Sequence, residues 1–274
     1  MNSTVDKEFI LNFLRPKTSS SKLIRIGGFT DGAYLLPDDL SGISRCFSPG
    51  CKNIKLFEDE LTQKHGISCH MCDYTSTAEC FSTPILNHQT FEKKWLSPVS
   101  YCTTEVTLEN WINSYCAEEE SELLLQMDIE GSEYACILAT PISELYRFRI
   151  VVMELHNLQK IENDDYRDSV LLPFFKKLDK AYNCIHIHPN NCSDAIWVSG
   201  TSVELPMTLE ITLLRKDRFG NNQSYQPQLP HPLDICNLPD KEPLQLSSYW
   251  TGSQPAVRTL AYRAIEKIFR SFRK

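Results

Sequence analysis

The sequence predicts an α/β fold: a mostly parallel, doubly wound sheet with a terminal antiparallel strand. Three observations predict it. Short apolar runs that read as buried strands alternate with stretches of helical spacing from residue 43 to residue 181, and such alternation marks βαβ units. Acidic residues close successive strand runs at Asp73, Asp128 and Glu154, on the side where a doubly wound sheet binds its ligands. The last two strand runs, 182–187 and 209–214, have no helical pattern between them, so the final strand should run antiparallel.

Each element follows in order. Residues 1–22 hold a short helical pattern (Phe9, Ile10, Phe13, Leu14) that stops at Pro16 and a Ser-rich joint, since proline cannot continue a helix. LIRIGGFTDGAYLLPDDL then sets two short apolar runs around a turn-rich centre, and residues 1–42 read together as an N-terminal helix and cap segment. Residues 43–47 read as the first buried strand, closed by Ser48, Pro49 and Gly50. A helix over 54–64 and a strand over 67–72, ended by Asp73, follow it. A polar, proline-containing loop leads to a helix over 106–115, marked by TLENWINSY. The strand 123–127 ends at Asp128 with a helix over 132–145 behind it, and the strand 149–153 ends at Glu154 with a helix over 171–181. The main domain is thus 43–220. Residues 221–250 are Pro-rich and read as irregular. Residues 255–274 read as a basic amphipathic helix with Val257, Leu260, Ile265 and Phe269 on one face.

Composition narrows the class. A hydrophobic share of 42% fits a globular chain with a sizeable core. The net charge of −7 gives no overall field that would draw the chain onto nucleic acid. Eleven cysteines, odd in number and scattered through apolar runs, suit a reducing compartment better than a disulfide scaffold. Cys69 and Cys72 form a C-x-x-C pair inside a strand run, where alternation points them to opposite faces. The opening MNSTVDKEFILNFLRP lacks the apolar core of a signal peptide, and no run of about 20 apolar residues would span a membrane. A cytoplasmic location is the expectation. The basic C-terminal helix has three readings: a solvated face, peripheral membrane contact, or contact with an anionic partner.

The strand ends carry the chemistry. FSPGCKN offers a single glycine, Gly50, where a dinucleotide fingerprint shows G-x-G-x-x-G. A nucleoside cofactor without phosphates, such as S-adenosylmethionine, needs close backbone approach but no phosphate cradle. Asp73, closing the second strand, suits the two ribose hydroxyls of such a cofactor, although Asp also favours turns and caps. In MDIEGSEY, Asp128 closes a strand, Glu130 follows it and Gly131 permits a tight turn. Glu133 in the first turn of the next helix reads as complementing the helix dipole.

LLLQMDIEGSEY, preceded by TLENW, resembles the hallmark of the FkbM family of S-adenosylmethionine-dependent methyltransferases. RIGGFTDGAYLLPDDL, which contains Asp31, resembles the opening motif of one branch of that family, with Ala33 where a second glycine is usual. FSPGCKNIKLFEDEL with CDYT, then VVMELHNL and HIHPNNC, are similar to its later segments, so the resemblance covers roughly residues 22–218. It implies a Rossmann-like class I methyltransferase fold, S-adenosylmethionine as methyl donor, and O-methylation of a sugar or other small hydroxylated acceptor. On that reading Asp31, Ser48, Gly50, Asp73 and Asp128 bind the cofactor.

Methyl transfer to a hydroxyl needs alignment and a base, and two arrangements remain open. His156, with Glu154 and Glu130 beside it, acts as the base. Alternatively a magnesium or manganese ion shared by Asp128 and Glu154 lowers the pKa of the acceptor. His188, Asn190 and Asn191 are expected to line the acceptor pocket, with the His186–His188 strand about 10 Å from the Glu154 strand if the last strand inserts between them. Two other functions stay open: a non-catalytic S-adenosylmethionine-binding protein, and a metal-dependent hydrolase.

Overall fold

The computed structural model of the chain describes residues 3–219 and 228–252. The chain opens with α1 (Ser3–Leu14) and the antiparallel hairpin β1 (Leu23–Ile26) and β2 (Tyr34–Pro37). Then come β3 (Arg45–Pro49), α2 (Leu56–His65), β4 (Ser68–Cys72), β5 (Gln89–Glu92), the short pair β6 (Trp95–Leu96) and β7 (Glu105–Val106), and α3 (Leu108–Tyr115). The second half runs β8 (Leu123–Met127), α4 (Glu133–Ala139), α5 (Ile142–Leu145), β9 (Phe148–Leu155), α6 (Asp164–Tyr166) and α7 (Leu172–Ala181). It continues with β10 (Tyr182–Pro189), the hairpin β11 (Ala195–Trp197) and β12 (Glu204–Pro206), β13 (Leu209–Arg215) and α8 (Ser248–Thr251).

Seven strands form the central sheet in the order β10-β13-β9-β8-β3-β4-β5. The run from β5 to β9 is parallel. β13 is antiparallel to both its neighbours and lies between β9 and β10, as the missing helix before it predicts. The β8 and β9 strands are buried along their whole length, the signature of a sheet covered on both faces. Leu125, Met127, Val151 and Met153 face α1, α3, α4 and α7 in one core cluster. Leu124, Ile150 and Val152 face α2 and the β1–β2 hairpin in the other. Cys72 falls in the first cluster and Cys69 in the second, on opposite faces as alternation requires.

Local sequence explains the boundaries. The Thr107 hydroxyl accepts from the Asn110 N–H and caps α3, and Gly66 ends α2 in a left-handed conformation, its N–H donating to the Thr62 carbonyl and the next N–H, of Ile67, to that of Leu61. The single helix expected over 132–145 is two, because Pro141 has no N–H to give and holds Thr140 extended. The segment after Asp73 also differs from the expected loop. It carries the edge strand β5, whose QTFE has no apolar alternation and is ordered by pairing with β4. The described part of the Pro-rich extension is irregular up to α8, and Leu229, Leu246 and Trp250 join the main core cluster. The basic helix expected over 255–274 lies outside the described residues. Among the described residues no helix is long and apolar enough to cross a membrane.

Candidate functional site

β3 and β8 are adjacent, and the chain leaves them toward opposite edges of the sheet. That reversal opens a crevice beyond their carboxyl ends. A small cleft open to solvent lies there and is lined by Asp31, Gly50, Lys52, Glu58, Gln126 and Asp128 among others. Gly50 is a packing necessity. Its φ is +88°, and a Cβ on it would stand 1.6 Å from the Asp128 carbonyl oxygen. Only glycine lets these two strand ends close.

Ser48 sits below the cleft and is fully buried, hydrogen-bonded to Glu58 and to the Gln126 carboxamide oxygen, so it supports the lining from beneath. Burial pushes Glu58 up to about 7. Asp73 follows β4 and accepts from the Lys52 N–H at 2.8 Å and from the N–H and hydroxyl of Thr75 at 2.7 and 2.6 Å. The Asx-turn role open to this residue is therefore filled, and it also orders the Lys52 backbone at the rim of the cleft.

The strongest convergence is around His156, just past β9. Its Nδ1 lies 3.2 Å from Glu133 Oε1, while its Nε2 lies 3.5 Å from Glu130, 3.6 Å from Glu154 and 3.9 Å from Asp128. Glu133 is fully buried, and the same oxygen accepts from the N–H groups of Ile129 and Gly131. It therefore ties the strand-to-helix turn to the histidine. That turn runs through left-handed backbone at both Glu130 (φ 58°) and Gly131 (φ 103°), strain that a fixed functional turn can hold. Lys52 pairs with the exposed Glu130 at 2.8 Å.

The charges shift one another. Burial raises Asp128 to about 7, opposed by His156 and Lys52. Burial raises Glu154 to about 9, with Asp128 and Glu210 adding to it. Burial works against a charged His156, but Glu133, Glu154 and Asp128 outweigh it and lift the ring to about 9.

Strand register extends the site sideways. His188 pairs with Glu210, Glu210 with Glu154, and Asp128 lies one step beyond the last β8–β9 pair, so four polar residues cross four neighbouring strands in one row. Asp128 and Glu154 are strand neighbours, as expected. Each also takes part in a three-residue cluster, Asp128 with Glu130 and His156 and Glu154 with Asp31 and Glu210, and His156 Nε2 lies within 4 Å of both. Asn190 donates to Glu154 at 2.7 Å and positions it. Asn191 instead holds the extension, donating to the Leu238 carbonyl and accepting from the Leu238 N–H, both at 2.8 Å. His188 is buried behind Glu210, and His186 bonds Asp234 at 2.9 Å. Sequence reasoning missed Glu210, Asn237 and Asp234. Glu210 carried a signal, a lone charge inside the apolar run of β13, whereas the other two sit in a Pro-rich stretch without pattern.

No family model matches the chain, and no curated protein matches it either.

Proposed function

We propose that the chain is an S-adenosylmethionine-dependent methyltransferase with a Rossmann-like class I fold, acting on a hydroxyl of a small, sugar-like acceptor. The observation that carries the reading is the crevice at the β3–β8 reversal, closed by Gly50 and flanked by Asp73 at the end of the next strand. A final strand inserted antiparallel between β9 and β10 is the ending class I methyltransferases show, and the resemblance to FkbM motifs points the same way. The residues suit the cofactor. Asp73 keeps one acceptor site, on Oδ2, after its three bonds, the cleft is open and acidic at Asp31 and Asp128, and no phosphate-cradling glycine loop is present in FSPGCKN.

Asp73 would accept from a ribose hydroxyl at its remaining Oδ2 site, and Gly50, Lys52 and Asp128 would line the rest. The cofactor supplies an electrophilic methyl group on a sulfonium. His156 accepts the proton of the acceptor hydroxyl at Nε2, with Glu133 fixing the ring at Nδ1. Because carboxylates hold its proton up to about 9, methyl transfer should rise with pH toward that value as the ring becomes a free base. Alternatively, a magnesium or manganese ion shared by Asp128 and Glu154 would lower the pKa of the acceptor hydroxyl in place of His156.

The test is calorimetric binding of S-adenosylmethionine to the purified chain, with and without magnesium or manganese, for wild type and Asp73→Asn. Asn keeps the turn but removes one charged oxygen. Micromolar binding that Asp73→Asn weakens supports the reading. Absence of binding to the folded chain refutes it and leaves a metal-dependent hydrolase, while binding without turnover on any hydroxylated acceptor favours a non-catalytic binder.

A further inference from the structure

We propose that Asp234 and His188 form a proton-dependent clasp that docks residues 231–238 of the extension on the edge strand β10 and, through them, braces the Asp31 wall of the cleft. Asp234 is only 4% exposed, although it sits in a stretch without regular structure. A buried carboxylate persists where charge and hydrogen bonds replace water. The turn around it supplies part of that replacement. The His231 N–H donates to its Oδ2 at 2.7 Å, and the Asp234 N–H donates to the His231 carbonyl at 2.9 Å. β10 supplies the rest, with His186 Nε2 at 2.9 Å from Oδ1 and His188 Nδ1 at 3.6 Å from Oδ2.

The two β10 histidines hold Asp234 in different ways. The His186 contact is a hydrogen bond that the Nε2–H tautomer satisfies. At 3.6 Å the His188 contact exceeds hydrogen-bond length. It is the attraction of an imidazolium for a carboxylate, and it ends when the ring loses its proton. His188 is faced by Asp234 from the extension, by Glu210 directly opposite on β13, and by Arg25 from β1. Burial opposes its charge and Arg25 repels it, but Asp234 and Glu210 outweigh both and raise the ring above its ordinary value. Burial, with His186 beside it, presses His231 down to about 4, so that ring adds no charge near neutral pH. Burial also raises Glu210, with His188 and Arg25 opposing. Asp234 stays ionised, because His186 and His188 overcome its burial and hold it well below the usual carboxylate range. The clasp is therefore closed below about pH 6.5 and loosens as pH rises through the folded value of His188.

The segment reaches the cleft through Asn237, whose amide donates to Asp31 at 2.9 Å and to Glu210 at 2.6 Å. Asp31 lines the cleft, so release of residues 231–238 frees one of its walls. The inference rests on this packing and not on methyl transfer. It is tested by hydrogen–deuterium exchange of the full chain without ligand at about pH 6 and about pH 9, with rates corrected for the intrinsic effect of pH. Each tenfold in proton affinity is a tenfold in the ratio of closed to open segment. The amides of 231–238 should therefore lose about tenfold or more of their protection at the higher pH, while those of β8 and β9 keep theirs. In His188→Gln and in Asp234→Asn that step should vanish, with protection of β8 and β9 showing that each variant folds. Flat protection of the segment in wild type overturns the clasp, and this comparison needs no variant. A step that persists in either variant, or one that β8 and β9 share in full, overturns it too.

Discussion

Replacing Gly50 by alanine should damage the chain more than the same change at any other described glycine. The new Cβ would stand 1.6 Å from the Asp128 carbonyl oxygen and 2.7 Å from its carbon, where ordinary contact begins at 3.4 Å. The ends of β3 and β8 must therefore part by nearly 2 Å, since 3.4 − 1.6 is 1.8. Two backbone bonds are strained by that movement, Gly50 N–H to Cys72 at 2.9 Å and Asp128 N–H to Pro49 at 3.3 Å. Each contributes about 1 kcal/mol, and the left-handed φ costs a side chain about another 1–2 kcal/mol. The expected loss is about 3–4 kcal/mol, which for a chain of this size lowers Tm by roughly 6–15 °C. Gly66→Ala is the control, because its φ of +69° carries the backbone cost while nothing lies within 4 Å of the added carbon. Thermal unfolding followed by circular dichroism compares the two. If Gly50→Ala melts within about 3 °C of Gly66→Ala, the strand ends are not packed as described and the cleft floor is wrongly placed.

Three further outcomes follow from the same contacts. Glu133→Gln should let the His156 imidazole titrate nearer the ordinary value of about 6.5, down from about 9, and an unmoved NMR titration would show that Glu133 does not govern the ring. Glu58 has a folded pKa of about 7 against 4.5 for a free carboxyl, so the native state binds the extra proton between those values. Its contribution is present below pH 4.5 and is lost as pH rises through 7, by up to about 3 kcal/mol. Urea unfolding at pH 5 and 8 should show a smaller drop for Glu58→Gln than for wild type, and equal drops refute the assignment. Arg149→Ala should cost about 3 kcal/mol, because this buried guanidinium pairs with Glu122 and donates to the carbonyls of Asp39 and Ser41. A loss under 1 kcal/mol in denaturant unfolding would mean that water replaces those bonds.

The amino-acid order by itself determined the elements whose signals are local. β8 is read from its apolar run at Leu123–Met127, α7 from its periodicity, and the break at Pro16 from proline chemistry, each within a residue or two of the structure. It also placed Asp73, Asp128 and Glu154 at strand ends and left β13 to run antiparallel, because a strand without a crossover helix can only return. Tertiary structure alone decided what depends on neighbours distant in sequence. β5 is a strand because β4 offers it an edge, and QTFE carries no pattern of its own. Glu133 reads as a dipole partner until folding brings His156 to within 3.2 Å of it. Glu210 joins Glu154 and Asp31 only because β13 inserts beside β9, which sets residues 56 and 179 positions apart in the chain against one another. Local propensity is written in a few adjacent side chains, whereas a site is made where separate strand ends meet, and that meeting is fixed by sheet order and register rather than by any one segment.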